Sequence, residues 1–252
     1  MPDKLHKTKG IVLRTVKYGE TSLIVTIFTE LFGIQSYLVN GVRTSSKKGM
    51  GKANLFQPAA MLDLVVYHNE LRQLNRIREF KWGYLYQHIL SDVRKNAVAL
   101  YMVELLTKCL KQPDPNPDLF HFCEDSFMHL EEGSDTVTAN FPLFFALHLP
   151  AFFGVPPNPL KGPFDESEEL YFDLREGKFS GQRPSHPHFI DDKPARITAE
   201  ILMVRRPEEL QNIQLNHDIR RNLLYAYEIY YKLHIQDFGT MKTLPVLKEI
   251  LS

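Results

Sequence analysis

Near the start of the chain, apolar residues recur at a spacing of two, which places side chains on one face of a β-strand. The recurring positions are Ile11 and Leu13, then Leu23, Val25 and Ile27, then Ile34 and Leu38. Between these groups, Gly19 and Gly33 stand where tight turns can need a positive φ. The pattern predicts three strands joined as a meander of hairpins.

Two more strands complete the predicted barrel after a polar loop. Residues 44–52 are turn-forming and small polar residues with three lysines, so we expect an exposed cationic loop. Apolar residues alternate again over 60–66, and 71–80 reads as a fifth strand with three arginines. Five short strands in this order suit an OB-type barrel. The same periodicity also suits a five-stranded meander closed as in SH3-like barrels.

Beyond residue 80 the spacing of apolar residues becomes helical. Helical patterns cover 80–112, 118–131, 141–153, 198–204, 207–213, 218–234 and 244–251. Pro142 then falls in a first helical turn, where its missing N–H has no partner to lose.

The domain prediction follows from this change of period. We predict an α+β multidomain chain with an OB-fold nucleic-acid-binding domain at 1–80 and a helical domain at 81–252. Prolines and glycines interrupt the helical domain at about 154–195, so an irregular insertion is expected there, with a short hairpin over 170–179.

Composition indicates a chain with a real core. Its 252 residues are 44% hydrophobic, enough for two domains or for one domain with a large extension. There is no apolar run of transmembrane length and no apolar stretch near the start, which predicts a cytosolic protein without a membrane partner. Cys109 and Cys123 stand apart in sequence and are expected as free thiols.

The zero net charge conceals an asymmetry. Residues 1–80 carry twelve Lys and Arg against six Asp and Glu, a net charge of +6, which leaves −6 for the remainder. A basic module joined to an acidic one indicates that a polyanion partner would meet the N-terminal domain first.

Motifs that carry catalysis are missing from the sequence. A phosphate-binding loop ending at Lys52 would need Gly at Ser46 and Ser or Thr at Ala53. There is no nucleophile elbow and no H-E-x-x-H or G-x-G-x-x-G motif. The pair His186 and His188 lacks a third ligand nearby and is interpreted as a solvated loop. We therefore predict no catalytic residues, no metal and no cofactor.

Cationic and aromatic residues instead favour nucleic acid as the ligand. Besides the lysines of the loop at 44–52, the barrel segment carries cations at Arg14, Lys17, Arg72, Arg76 and Arg78. Aromatic rings that can stack on bases are Tyr18, Tyr37, Phe56 and Tyr67. The alternative is a merely solvated surface loop, which this combination of charge and rings makes the weaker interpretation.

Several segments resemble the RecO family of bacterial recombination mediators. The matching stretches are GIVLRT at 10–15, YGE at 18–20, GVR at 41–43, FQP at 56–58 and YMVEL at 101–105. The similarity continues through 149–157 to the closing 220–251, nearly the whole chain. Each piece alone is an ordinary barrel or helix pattern, and their order and spacing carry the resemblance.

The resemblance implies a non-enzymatic role in DNA repair and homologous recombination, in the cytoplasm at the nucleoid. Members of the family bind single- and double-stranded DNA, anneal complementary strands, contact the C-terminal tail of the single-strand-binding protein SSB, and act with RecR to load RecA. The DNA-contacting role carries over to Arg14, Arg43, Lys47, Lys48 and Lys52, with Lys17, Arg72 and Arg76 as additional candidates.

The sequence departs from many relatives at one point. They carry a four-cysteine zinc site after the Gly-x-x-Pro segment, whereas 158–195 contains no cysteine here. We therefore expect the chain to fold without metal.

An acidic and apolar tail such as that of SSB needs an apolar groove with cations at its rim. The sequence offers the helices predicted at 141–153 and 218–234, with Arg220 and Arg221 as partner-binding residues. Alternatively, these helices simply pack together and the arginines are solvated. For the whole protein, the alternative function is a protein–protein adaptor whose barrel binds a partner protein rather than DNA.

Overall fold

Five strands near the start of the chain close into a barrel in this computed structural model, which describes residues 4–43, 52–160 and 169–251. The strands are β1 Lys4–Tyr18, β2 Ser22–Thr29, β3 Gly33–Val39, β4 Met61–His68 and β5 Asn75–Tyr84. Their order around the barrel is β1-β2-β3-β5-β4, with β3 and β5 parallel. Since β4 crosses over to pair with β1, the barrel is not a simple meander. The predicted OB-fold is confirmed, and the SH3-like closure is not.

The fifth strand differs from its predicted bounds. It begins at Asn75 and continues to Tyr84, so residue 80 lies within the strand rather than at a boundary. Asn75 is buried, and its side-chain oxygen accepts a hydrogen bond from the Asn69 backbone N–H at 3.1 Å. This bond closes the β4–β5 loop, 69–74, and fixes where the strand starts.

The interior of the barrel corrects the predicted inward positions in β3. Tyr37 and Val39 belong to the barrel core, while Ile34 and Leu38 face outward and are only partly buried. Both faces of β3 carry apolar residues, so alternation alone cannot choose between them. Tyr37 pairs with Val25, a core residue of β2, and this register places Tyr37 on the inward face of β3.

Two of the rings proposed for base stacking are also in this core. Tyr37 is 0% exposed and Phe56 is 1% exposed, so that prediction is wrong for both. Tyr18, in contrast, is 54% exposed. The difference follows from position, because Tyr18 lies at the last residue of β1.

Residues 110–127 form one compact unit with residues 1–87. The Phe120 ring lies 5.6 Å from that of Phe28, and Lys9 Nζ lies 2.7 Å from Glu124 Oε1. Gly33, with φ +62°, sits so close to the 113–114 backbone that a Cβ there would collide with it. Only glycine combines the positive φ with the absence of a Cβ that this turn requires.

The second compact unit, 88–109 with 128–252, is mainly helical. Beyond residue 90, the α-helices of the described residues are α1 Val93–Cys109, α2 Pro117–Glu132, α3 Asp135–His148, α4 Asp192–Met203, α5 His217–His234 and α6 Thr243–Ile250. Short 3₁₀ helices cover Leu149–Phe153 and Pro207–Asn212. The helical C-terminal region is confirmed as predicted.

Several helix boundaries differ from the sequence pattern, among them the start of α4, which is Asp192 rather than residue 198. The helix predicted from residue 80 begins only at Val93, because β5 occupies the residues up to Tyr84. The helix predicted from residue 141 begins at Asp135, where Ser134 caps it by accepting from the Val137 N–H. Pro142 therefore lies inside α3 and not in its first turn.

The predicted hairpin at 170–179 is part of a three-stranded sheet of order β7-β6-β8. The strands are β6 Tyr171–Asp173, β7 Lys178–Ser180 and β8 Phe189–Asp191, of which β8 was not predicted. Asp173 accepts from the backbone N–H groups of Arg175 and Glu176 at 2.8 and 3.1 Å. His186 Nε2 lies 3.2 Å from the other Asp173 oxygen, so His186 is a sheet-anchoring residue and not a solvated one.

In the described part of the chain, no group of three or more His, Cys, Asp or Glu is arranged to hold a metal ion. Within it, one stretch, Asp135–Phe153, is long and apolar enough to cross a membrane, and 67% of that window is buried inside the structure, as in a core helix. Metal-free folding stays a prediction.

Candidate nucleic-acid interface

The outward-facing side chains of β1, β2, β3 and β5 form one surface. Strand register places Arg14, Thr26 and Ser36 in one row across β1, β2 and β3. The next row runs across all four strands. Its members are Val16, Ile24, Leu38 and Arg76. We call these seven residues the outer face.

The chemistry of the outer face is apolar in the middle and cationic at its edges. Val16 is 44% exposed, and Ile24 and Leu38 are partly buried. Arg14 on β1 and Arg76 on β5 are both exposed. Arginines at the edges suit phosphates, and the apolar strip between them suits sugars and base rings.

The β1–β2 turn carries a second group of predicted residues. The Arg43 guanidinium donates to the Gly19 carbonyl at 3.2 Å, and the Arg43 backbone N–H donates to Thr21 at 3.0 Å. Lys17 and Tyr18 are exposed on the strand that enters this turn. A guanidinium has five N–H donors, so one bond to Gly19 orients Arg43 without using its capacity for phosphate.

Lys52 and Arg72 lie on two different connections of the barrel. Lys52 is exposed just before the 3₁₀ helix Asn54–Phe56, which is tied to β1 because the Thr15 hydroxyl donates to the Phe56 carbonyl. Arg72 is exposed on the β4–β5 loop, where its backbone N–H donates to Asn69 at 3.0 Å. Lys47 and Lys48 lie outside the described residues.

The structure thus separates the predicted DNA contacts into groups. Arg14 and Arg76 share the outer face, Lys17 and Arg43 share the β1–β2 turn, and Arg72 lies on the β4–β5 loop. In OB-folds the face of the second and third strands and these two loops bind oligonucleotides. Arg72 lies on the corresponding β4–β5 loop, and Lys17 and Arg43 lie at the β1–β2 turn. Arg14 and Arg76 instead flank the β2–β3 face from β1 and β5, and Lys52 lies on the β3–β4 connection.

Arg220 and Arg221 differ in their surroundings within the helical unit. Arg220 donates from Nε to the Asn140 side-chain oxygen at 3.2 Å and from Nη2 to the Leu215 carbonyl at 3.3 Å. Burial lowers the pKa of Arg220 from its usual value. Arg221 lies 3.0 Å from Asp218 in an ion pair. Arg220 is therefore oriented by the protein, whereas Arg221 is engaged within its own helix.

A cleft of about 660 Å³ opens at the N-terminal ends of α3 and α5. Its charged lining residues are Arg220, Lys193 and Asp135, and its apolar ones include Ile213, Leu215 and Ile219. Farther along, the Tyr231 hydroxyl donates to the Ala146 carbonyl at 2.9 Å, so α5 packs directly on α3 there. The open space lies beside Arg220 only, and Arg221 does not line it.

Comparison with known proteins identifies the family. The model of the recombination protein O N-terminal domain matches residues 1–86, and that of the C-terminal domain matches residues 90–243. The chain belongs to the RecO family. Its role is accordingly in DNA repair and recombination.

Individual RecO relatives match over almost their full length. The DNA repair protein RecO of Phocaeicola vulgatus is 34% identical over 249 residues, 98% of this chain and 100% of the relative. That of Bacteroides fragilis is 35% identical over 248 residues, 98% of this chain and 99% of the relative. That of Christiangramia forsetii is 32% identical over 246 residues, 98% of this chain and 99% of the relative.

Sequence reasoning missed the apolar strip of this RecO-family barrel. Ile24 and Leu38 belong to the outer face, and the prediction had placed Leu38 inside. The available signal was the presence of apolar residues at both even and odd positions of β3. One apolar face of such a strand packs in the barrel core, and the other, outward apolar face is a candidate binding surface.

Proposed function

We propose that this RecO-family chain is a recombination mediator without enzymatic activity, which works in the cytoplasm at the nucleoid. It binds single- and double-stranded DNA, anneals complementary strands, and with RecR helps to load RecA onto SSB-coated DNA. The observation that carries the DNA-binding part is the outer face. There Arg14 and Arg76 flank an apolar strip on a closed OB barrel.

The mechanism needs charge and stacking only. Phosphates held by the outer face and by Lys17 and Arg43 release their counterions, which drives binding and reduces the repulsion between two strands. Bases that do not contact the protein stay exposed and can pair with a second strand. No bond is made or broken, which agrees with a site built from arginines, lysines and apolar residues.

Salt dependence tests this part of the proposal. If about five of the named cations contact phosphates of a single strand, the logarithm of the binding constant falls against the logarithm of salt with a slope of about −3 to −4. Replacing both Arg14 and Arg76 with Ala should lower the slope by about 1.4, or about 0.7 for each lost contact, and slow annealing. Fluorescence anisotropy over a salt series measures the slope.

The matched control is Arg221→Ala, which removes an arginine of the helical unit that is paired with Asp218. It should leave the slope unchanged. Salt-independent binding by the unaltered protein, or normal annealing by the double variant, would favour the adaptor function instead. In that case the apolar strip of the outer face would bind a partner protein.

We propose the cleft beside Arg220 as the site that binds the C-terminal tail of SSB. The C-terminal tail of SSB combines acidic side chains, apolar side chains and a free carboxylate. Arg220 and Lys193 suit the carboxylates, and Ile213, Leu215 and Ile219 suit the apolar side chains. Arg220 is held by two hydrogen bonds, so little is lost in ordering it when the tail binds. Arg221 is paired with Asp218 and does not line the cleft, so we do not expect it to contact the tail.

A further inference from the structure

A second cleft, of about 930 Å³, opens beside the outer face of the barrel. Thr26, Ile34 and Ser36 of β2 and β3 form part of its lining. The β4–β5 loop at 70–73 and the segment at 111–115 also line it. Its size is in the range of pockets that hold small organic groups.

Close contacts fix both sides of this cleft. The Gly33 turn leaves no room for a side chain against the 113–114 backbone, so that segment lies directly on the β2–β3 turn. On the other side, the Phe32 ring stacks on His68 with centroids 3.8 Å apart and an interplanar angle of 16°. A cleft held open in this way costs a ligand little ordering free energy.

The lining combines apolar surfaces with hydrogen-bonding groups. Leu31, Phe32 and Ile34 are apolar, whereas Thr26, Ser36 and Gln73 carry donors and acceptors. Leu71 stands at the cleft with 95% of its surface exposed, which is unusual for a large apolar side chain. A nucleobase has the complementary chemistry, with apolar ring faces and a polar edge.

Charge distinguishes the cleft from the outer face next to it. Within the cleft, Arg72 and Lys111 are balanced by Glu70 and Asp114, so the cleft suits a neutral group. Arg14 lies in the same row as Thr26 and Ser36, at about 5 Å per strand spacing. Phosphates on the outer face and a base in the cleft would therefore belong to adjacent parts of one nucleotide strand.

We propose that this cleft holds an unpaired base of single-stranded DNA, an inference that rests on the proposed DNA-binding function. Bases within a duplex are stacked and paired, and they enter such a site only after paying for unstacking. The cleft thus gives the barrel a preference for single strands. The phosphate contacts of the outer face do not supply this preference, because both forms of DNA carry phosphates.

The test compares oligothymidylate with an abasic oligonucleotide of the same length, about 16 nucleotides, the upper end of the site sizes of OB-folds. Leu71→Ala should weaken binding of oligothymidylate about fivefold, because it removes apolar surface that the base would cover. It should not change binding of the abasic strand, binding of duplex DNA or the salt slope. Leu74→Ala is the matched control, since Leu74 belongs to the same loop but does not line the cleft.

The outcomes separate this inference from the proposed function. Equal losses for oligothymidylate and abasic strand, or no loss for either, would overturn the base site while a steep salt slope upheld DNA binding. If Leu71→Ala weakens binding of neither strand, the cleft would be left as a site for a protein partner. A flat salt slope in the unaltered protein would instead overturn DNA binding itself, and with it this inference.

Discussion

The two candidate binding regions hold their arginines in different ways. Arg14 and Arg76 project from the barrel surface and are exposed. Arg220 is half-buried, and Asn140 and Leu215 fix the direction of its guanidinium. The first arrangement suits a long polyanion, where many weak contacts add up. The second suits one carboxylate at one position, because its geometry is set before the ligand arrives.

This difference has a thermodynamic consequence. Exposed arginines contribute little to folding, so Arg14 and Arg76 of the outer face can be changed with little effect on stability. Asn140, which orients Arg220, is fully buried and donates to the carbonyls of Leu210 and Ile213 at 3.2 and 2.8 Å. In the helical unit, Asn140 therefore contributes both to folding and to the proposed binding by Arg220. On the barrel, Arg14 and Arg76 contribute little to folding.

The largest expected effect is the loss of this shared residue. Asn140→Leu removes two donors and leaves the Arg220 Nε without its acceptor, so the free energy of unfolding should fall by about 3 kcal/mol. Urea unfolding followed by the helical circular-dichroism signal measures it. Arg14→Ala and Arg76→Ala should change it by less than about 0.5 kcal/mol. If Arg14→Ala or Arg76→Ala lowered the free energy of unfolding as much as Asn140→Leu, the exposed arginines of the barrel would also contribute to folding.

The second effect concerns binding of a synthetic SSB tail peptide. Arg220→Ala should weaken it at least about tenfold, since a hydrogen bond to a charged group contributes about 1.5–3 kcal/mol. Arg221→Ala, beside it on α5 but outside the cleft, should leave the affinity unchanged. Titration of labelled peptide measures both variants, with DNA annealing as a second readout.

Equal losses in Arg220→Ala and Arg221→Ala would move the partner site to the exposed side of α5. A parallel loss of DNA annealing would assign Arg220 to the nucleic-acid surface. Lys193→Ala provides an independent check, because Lys193 is exposed and lines the same cleft. This variant should weaken binding of the peptide without changing the free energy of unfolding.

The sequence predicted the fold well where one signal dominated. In β2, alternation placed Leu23, Val25 and Ile27 in the barrel core, where the structure has them. In β3, both faces are apolar, so the inward residues could only be chosen from the pairing with β2. Buried rings such as Tyr37 were misassigned for the same reason.

The candidate site was predictable in type but not in geometry. Arg14, Arg43 and Arg76 followed from charge and family resemblance. That Arg43 is oriented by Gly19 depends on a contact between residues 24 positions apart. The clefts beside Arg220 and beside Phe32 involve several segments distant in sequence, which no periodicity connects.

The smallest expected effect is a dependence of stability on pH, to which each unit contributes one histidine. Burial lowers the pKa of His148 in α3, although its bond to the Phe144 carbonyl acts in the opposite direction. Burial, and then the nearby His6, lower the pKa of His68 in the barrel. Each histidine is thus harder to protonate in the folded protein than in the unfolded chain.

The sign follows from proton linkage. Above about pH 7.5 both states are neutral at these positions, and neither histidine affects stability. As the pH falls below about 6.5, the unfolded chain takes up protons first, so stability falls until the folded-state pKa is reached. The fall is at most about 1.4 kcal/mol per pH unit for the more buried His148, and it is smaller for His68, which solvent screens. Melting temperatures between pH 7.5 and 5.5 should therefore decline. His148→Gln should reduce this decline in melting temperature when unfolding is followed by the helical circular-dichroism signal. A decline of the same size in the His148 variant would mean that other groups titrate in this range.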